Sequence, residues 1–224
     1  MIPLRSTERT YSKATVVTSL IVINILIFLY QETMDQYSQT VFVERWGIVP
    51  DSISQHLYTL LTSMFLHGGW LHVLGNMLYL WVFGRGIEDL IGSGPFLAFY
   101  LVCGLAAGVL QVITSPYSQL PTIGASGAIA GVMGAYVIRF SRARIVTLVF
   151  IVVFITTVEI PAWILLVWWF VIQLFNGFGS LATANYSGGG TAWFAHVGGF
   201  LAGMLLIRAF PVRQRKWRPW HEED

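Results

Sequence analysis

Ser126, in Gly124-Ala125-Ser126-Gly127, and His196, in Ala195-His196-Val197-Gly198-Gly199, are polar residues within runs that are otherwise almost wholly apolar. A polar side chain at membrane depth is costly, which makes each a candidate functional residue. A serine hydroxyl becomes a nucleophile when a neutral imidazole accepts its proton, and burial disfavours the charged imidazolium. His72 and Asn76 stand four residues apart, on one face of a helix. With the backbone N–H of Ser126, they are candidate donors to a developing oxyanion. The apolar runs contain no Asp or Glu except at ends that read as cytoplasmic, so the serine and histidine form a dyad rather than a triad.

These residues need elements to position them, and the composition says what kind. Of 224 residues, 55% are hydrophobic and only 11% charged, against about a quarter charged in a soluble domain. The chain reads as an all-α integral membrane protein of one domain. There is room for about six helices of about 20 residues and little beside them. Apolar runs lie near 14–30, 69–84, 95–114, 124–139, 161–180 and 193–210, with a further run at 145–158. Arg5, Arg9 and Lys13 precede the first run, and Gln31-Glu32 follows it in place of a small-residue cleavage site, as in an uncleaved signal anchor. The single cysteine, Cys103, falls in an apolar run and reads as packing.

Lys and Arg accumulate in cytoplasmic loops. Twelve of the thirteen fall in five clusters, 5–13, 85, 139–144, 208 and 213–218, and only Arg45 lies elsewhere. Placing the clusters inside puts both termini in the cytoplasm and requires an odd number of crossings between Arg144 and the last run. One crossing is the reading adopted, with 145–158 an interfacial or partly inserted loop broken from the fifth helix at Glu159-Ile160-Pro161. Seven spans would invert the side on which His196 sits. Residues 1–13 then form a cytoplasmic tail, 14–210 the six-helix domain, and 211–224 a basic, aromatic tail suited to the cytoplasmic interface.

Depth can be measured from the charged ends. At about 1.5 Å per residue, Ser126 lies about 20 Å from Arg139, His196 about 18 Å from Arg208, and His72 about 20 Å from Arg85. Three polar side chains from three helices thus share one level, nearer the outer face. A lone GxSG in an apolar helix is more often packing, and the matched depth reverses that preference. Gly127, Gly131 and Ala135 on one helix, and Ala195, Gly199 and Gly203 on another, form small-xxx-small stripes that let backbones approach closely. Packing those stripes together would carry the hydroxyl toward the imidazole.

In its order of motifs the chain closely resembles the rhomboid intramembrane serine proteases. The resemblance rests on His72 to Asn76 (HxxxN), Gly124 to Gly127 (GxSG), Ala195 to Gly199 (AHxxG), Leu66-His67-Gly68-Gly69-Trp70 and Gly86-Ile87-Glu88. It implies a six-helix rhomboid-like bundle with a water-filled cavity open to the outer face. It also implies Ser126 as nucleophile, His196 as general base, and His72, Asn76 and the Ser126 N–H as oxyanion site. The implied substrates are transmembrane segments of other proteins, cleaved in or near the bilayer of a plasma or bacterial inner membrane. No metal, cofactor or nucleic acid is called for. Two departures stand out. Tyr58-Thr59 occupies a place where some members carry Trp-Arg, which puts a bond of that loop in question; Ala130 replaces an aromatic that in some members stacks on the histidine, which leaves His196 less firmly held.

Other segments read more simply. Residues 31–68, with Trp46 and Pro50, suit an interfacially embedded loop that braces the second helix, and Glu88 suits a cap or brace of the cytoplasmic turn. Asn185 to Gly190 is glycine-rich and suits a mobile cap. There is no HExxH zinc site, and both lysines, Lys13 and Lys216, are terminal, which excludes a Ser-Lys pair within the membrane. Paired membrane aspartates are missing too. A transporter lined by His72, Asn76 and His196 would show an internal repeat, and none is seen; a helix-binding relative without activity usually lacks the serine or the histidine. Substrates whose spans carry helix-weakening residues near the outer end are expected, because a regular helix hides its carbonyls.

Overall fold

The computed structural model describes residues 1–151, 154–182 and 192–213. The segment Asn185 to Gly190 and the tail from residue 214 lie outside the described residues. The first apolar run forms α1 (Thr15–Glu32), and its start is fixed by a carboxylate from elsewhere. The first N–H groups of a helix lack intrahelical acceptors and favour an anion. Glu88 supplies it, accepting from the N–H groups of Val16 and Val17 at 2.9 and 2.8 Å and from Ser93 Oγ at 2.6 Å. The expected cap or brace is therefore a helix cap, buried to 1% exposure.

After α1 the chain folds into short elements: α2 (Gln36–Trp46), a 3-10 turn (Pro50–Gln55), α3 (Thr59–Thr62) and a second 3-10 turn (Ser63–Phe65). Their polar backbone is tied to the bundle. Gln31 donates to the His67 carbonyl at 3.2 Å and accepts from the His67 N–H at 3.1 Å, while Ile48 and Thr122 exchange two backbone bonds at 3.0 and 2.8 Å. Tyr58 answers the question raised by its position: its hydroxyl donates to the Arg45 carbonyl at 3.1 Å and its ring meets Trp46 edge-on at 5.6 Å.

The second long helix is continuous from α4 (Trp70–Tyr79) through a π-helical turn (Leu80–Gly84) into α5 (Arg85–Ile91). Gly92, at φ +90°, turns the chain into α6 (Ser93–Thr114). Then come α7 (Ser126–Arg139), α8 (Ala162–Ala182) and α9 (Trp193–Leu206). Among the described residues, α1, α6 and residues Ala162–Ser180 are long and apolar enough to cross a bilayer. The helices α7 and α9 have 14 residues each, about 21 Å against a hydrocarbon core of about 30 Å. Arg139, at the end of α7, donates to the Ile207 carbonyl at 2.7 Å, next to Arg208. Two of the three depth measurements, those from Arg139 and Arg208, therefore start from the same level.

The all-α expectation needs correction. The run 145–158, read as a loop, falls largely in two antiparallel strands, β2 (Arg144–Ile151) and β3 (Phe154–Pro161), and β1 (Ile2–Ser6), from the expected N-terminal tail, pairs with β2. Ile145, Val146, Thr147, Val149 and Ile151 face a partner strand with Ile155, Thr156, Thr157, Val158 and Ile160, and β-branched residues favour a pleated sheet over a helix. Register runs from Arg144↔Pro161 to Ile151↔Phe154. The hairpin returns the chain to its origin, where the Ala162 N–H donates to the Ala143 carbonyl at 2.8 Å.

Candidate active site

Two small-residue stripes determine how the site is assembled. A side-chain carbon on Gly199 would lie 1.9 Å from the Gly127 carbonyl oxygen, and one on Gly203 would lie 1.9 Å from that of Gly131. Nothing but hydrogen fits at these positions, so α7 and α9 pack backbone against backbone. Gly131 also abuts Cys103 of α6: a carbon there would come within 2.4 Å of Cys103 Cβ. The cysteine is buried and free, filling this contact.

Close packing brings the first turns of α7 and α9 side by side. Ser126 Oγ lies 2.8 Å from His196 Nε2. His196 is 8% exposed and Ser126 is half-buried. The turn into α7 needs Gly124 at φ +124°, a region that favours glycine. Gly124 also leaves room for the oxyanion candidates: a side-chain carbon there would lie 2.7 Å from His72 Nε2 and 3.7 Å from Asn76 Nδ2. Any residue but glycine would displace His72.

Protons on these two side chains can be assigned from their partners. His72 Nδ1 accepts the Gly68 N–H at 3.3 Å, which leaves the hydrogen on Nε2, facing Gly124. Asn76 is buried, and its Nδ2 has no hydrogen-bond partner among the described residues. The Ser126 N–H sits in the first turn of α7, where the helix offers no carbonyl. His72 Nε2 and Asn76 Nδ2 thus meet at Gly124, two residues before the serine. His67, in the loop before α4, packs its ring edge-on to His72 at 5.1 Å; burial first, and then charge on His72, pushes it down to about 4, so it is neutral at pH 7.

Of the residues expected from the sequence, Ser126 and His196 are in contact, His72 and Asn76 lie at Gly124, and Gly127, Gly131, Gly199 and Gly203 are in the packing of α7 against α9 and α6. Three further residues were not foreseen. Gln173 Oε1 lies 2.8 Å from His196 Nδ1, and the ring of Trp169 lies against the imidazole with centroids 5.6 Å apart. His196 is therefore held from α8, with Trp169 supplying an aromatic ring beside it. Gln111 of α6 accepts the Ala195 N–H at 3.2 Å, meeting a first-turn donor of α9. The rule that singled out Ser126 would have found both glutamines, since each is an uncharged polar residue in an apolar helix.

Comparison with known proteins gives the family. A Rhomboid domain model matches residues 54–212. The chain is 31% identical over 193 residues to the Rhomboid protease GluP of Bacillus subtilis (strain 168), covering 84% of this chain and 33% of that protein. It is 29% identical over 149 residues to RHOMBOID-like protein 5 of Arabidopsis thaliana, covering 66% and 42% of the two chains. With the putative rhomboid protease YdcA of Bacillus subtilis (strain 168) it shares 28% identity over 110 residues, 49% of each. The chain thus spans about a third to a half of the length of these relatives. Its long apolar helices make it an integral membrane protein, and by the extent of the domain match and the identity across most of its length it belongs to the rhomboid family.

Proposed function

We propose that this chain is an intramembrane serine endopeptidase that hydrolyses peptide bonds in or near transmembrane segments of other membrane proteins. The observation that carries the reading is the 2.8 Å contact of Ser126 Oγ with His196 Nε2, buried between two apolar helices of a rhomboid-family chain. Ser126 Oγ attacks the scissile carbonyl carbon as its proton passes to His196 Nε2. The oxyanion is met by the Ser126 N–H, Asn76 Nδ2 and His72 Nε2–H, with the positive end of the α7 dipole behind them. His196 then gives the proton to the leaving amine. Water, deprotonated by the same imidazole, hydrolyses the acyl-enzyme and regenerates Ser126.

Six spans serve this chemistry: α1, the continuous α4–α5, α6, α7, α8 and α9. Both termini are cytoplasmic and the site opens to the outer face. Residues 14–210 form the protease domain, and the hairpin adds no crossing, because it starts and ends at adjacent residues, Ala143 and Ala162. The short α7 begins below the outer face, where non-helical backbone is tolerated because protein surrounds it. Substrates must reach Ser126 extended, so spans with Gly or Pro near their outer end are favoured.

Cleavage of a single-span reporter by purified protein tests the proposal. Wild type should cut a reporter with Gly and Pro near the outer end at least tenfold faster than one with a uniform Leu span, and Ser126→Ala and His196→Ala should abolish both activities. Cleavage that survives Ser126→Ala would overturn it.

A further inference from the structure

A general base is useful only in one of the two neutral tautomers of its ring, the one whose free lone pair faces the nucleophile. For His196, that means the hydrogen on Nδ1 and the lone pair on Nε2, toward Ser126. Among the described residues no carboxylate meets the imidazole: the groups that do are Ser126 of α7, Trp169 and Gln173 of α8, and Trp193 of its own helix, with His72 of α4 as the one titratable neighbour among them whose charge reaches it. The group described at Nδ1 is a neutral amide.

Gln173 is 4% exposed, and both ends of its amide are engaged. One end lies 3.1 Å from the backbone carbonyl oxygen of Trp169, which can only accept, so that end is the NH₂ group. The other end is then Oε1, an acceptor 2.8 Å from His196 Nδ1. Reversing the amide would set two carbonyl oxygens against each other and offer a donor to Nδ1, placing the histidine proton on Nε2, where it could not take one from serine. The carbonyl of Trp169 thus orients Gln173, Gln173 orients His196, and His196 Nε2 is left to accept from Ser126 Oγ. The ring of Trp169, one turn before Gln173 on the same helix face, presses on the imidazole from the side.

From this chain of hydrogen bonds we infer that Gln173 is a positioning residue, a neutral counterpart of the third member of a catalytic triad, which with Trp169 fixes the tautomer and orientation of His196. The inference rests on the proposed roles of Ser126 and His196. It extends them by making α8, which contributes no reacting group, a determinant of the rate.

The test compares Gln173→Met, which keeps the volume and removes the acceptor, with Gln173→Glu, which keeps an acceptor and adds charge. Both are measured on the reporter beside wild type and Ser126→Ala, with activity normalised to folded protein. Gln173→Met should lower kcat by about 10- to 100-fold, the range seen when an orienting hydrogen bond to a functional histidine is lost, with KM changed less than about threefold, because no substrate contact is removed. Gln173→Glu should recover more than half of that loss on a logarithmic scale and move the acid limb of the pH–kcat/KM profile to higher pH, since a carboxylate stabilises the imidazolium. A purely structural role would give equal losses in both variants with the acid limb unmoved. That result, or a Gln173→Met enzyme within twofold of wild-type kcat, would overturn the inference while Ser126→Ala remained inactive; activity in Ser126→Ala would instead overturn the reading on which it rests.

Discussion

The helix that carries His196 has two very different neighbours. Toward α7 it presents glycine, and the backbones touch: Gly199 and Gly203 lie against the carbonyls of Gly127 and Gly131, and a carbon on Gly134 of α7 would come within 2.1 Å of the Phe200 carbonyl oxygen. Toward α8 it presents side chains. Phe200 stacks on Phe170 with centroids 4.6 Å apart and rings inclined by 23°, while His196 meets Trp169 and Gln173. A backbone contact has no rotamers and fixes where the serine stands relative to the histidine; a side-chain contact is adjustable and fixes how the imidazole is turned. One interface sets distance and the other orientation.

Substitutions that separate the two follow from this. The largest effect is expected from Gly203→Val: its Cβ would lie 1.9 Å from the Gly131 carbonyl, beyond the ordinary overpacking cost of about 1–3 kcal/mol because backbone, not a side chain, would have to yield. The yield of monodisperse protein on size exclusion should collapse, with cleavage lost alongside it. Gly199→Ala adds a single carbon at the same spacing from Gly127, and should lower the thermal midpoint and spread the Ser126–His196 pair, costing more than tenfold in kcat. On the other side, Trp169→Ala should leave most of the fold intact and reduce kcat by about 3- to 10-fold, read in the same reporter assay. A Trp169→Ala loss as large as that of Gly203→Val, with the protein unfolded, would erase the distinction between the interfaces.

Gly75 sharpens the comparison from the opposite direction. It lies between His72 and Asn76 in α4, and nothing stands within 4 Å of where its Cβ would be. Gly75→Ala should therefore leave the midpoint unchanged or raise it, since alanine is favoured in a helix by about 1 kcal/mol. A marked loss of stability would mean that glycines in this chain are intolerant whatever they touch.

The same contrast explains what could be read from the sequence. Ser126, His196, His72 and Asn76 stood out as candidates because a polar side chain in an apolar run is conspicuous, and the α7–α9 contact was legible because close backbone packing leaves small residues at every fourth position. The depths of Ser126 and His196 could be compared because the far ends of α7 and α9 are joined, Arg139 to Ile207. Trp169 was not read, because rotamer-level support has no required spacing and depends on which face α8 turns to α9; Gln173 carried the same signal as Ser126, a polar residue in an apolar run, and was passed over. The hairpin was missed for a different reason. An apolar run of this length does not by itself distinguish strand from loop or helix, and its partner β1 lies more than a hundred residues away at the start of the chain. The β-branched content of 145–160 was the available signal.

The most direct test of the central claim, that Ser126 is a nucleophile activated by His196, is covalent labelling. Purified protein would be treated with a small fluorophosphonate and the adduct located by peptide mass spectrometry. The account expects one modified residue, Ser126, with labelling absent in Ser126→Ala and slowed at least a hundredfold in His196→Ala. Modification of a different residue at the wild-type rate, or labelling of Ser126 undiminished without His196, would contradict it.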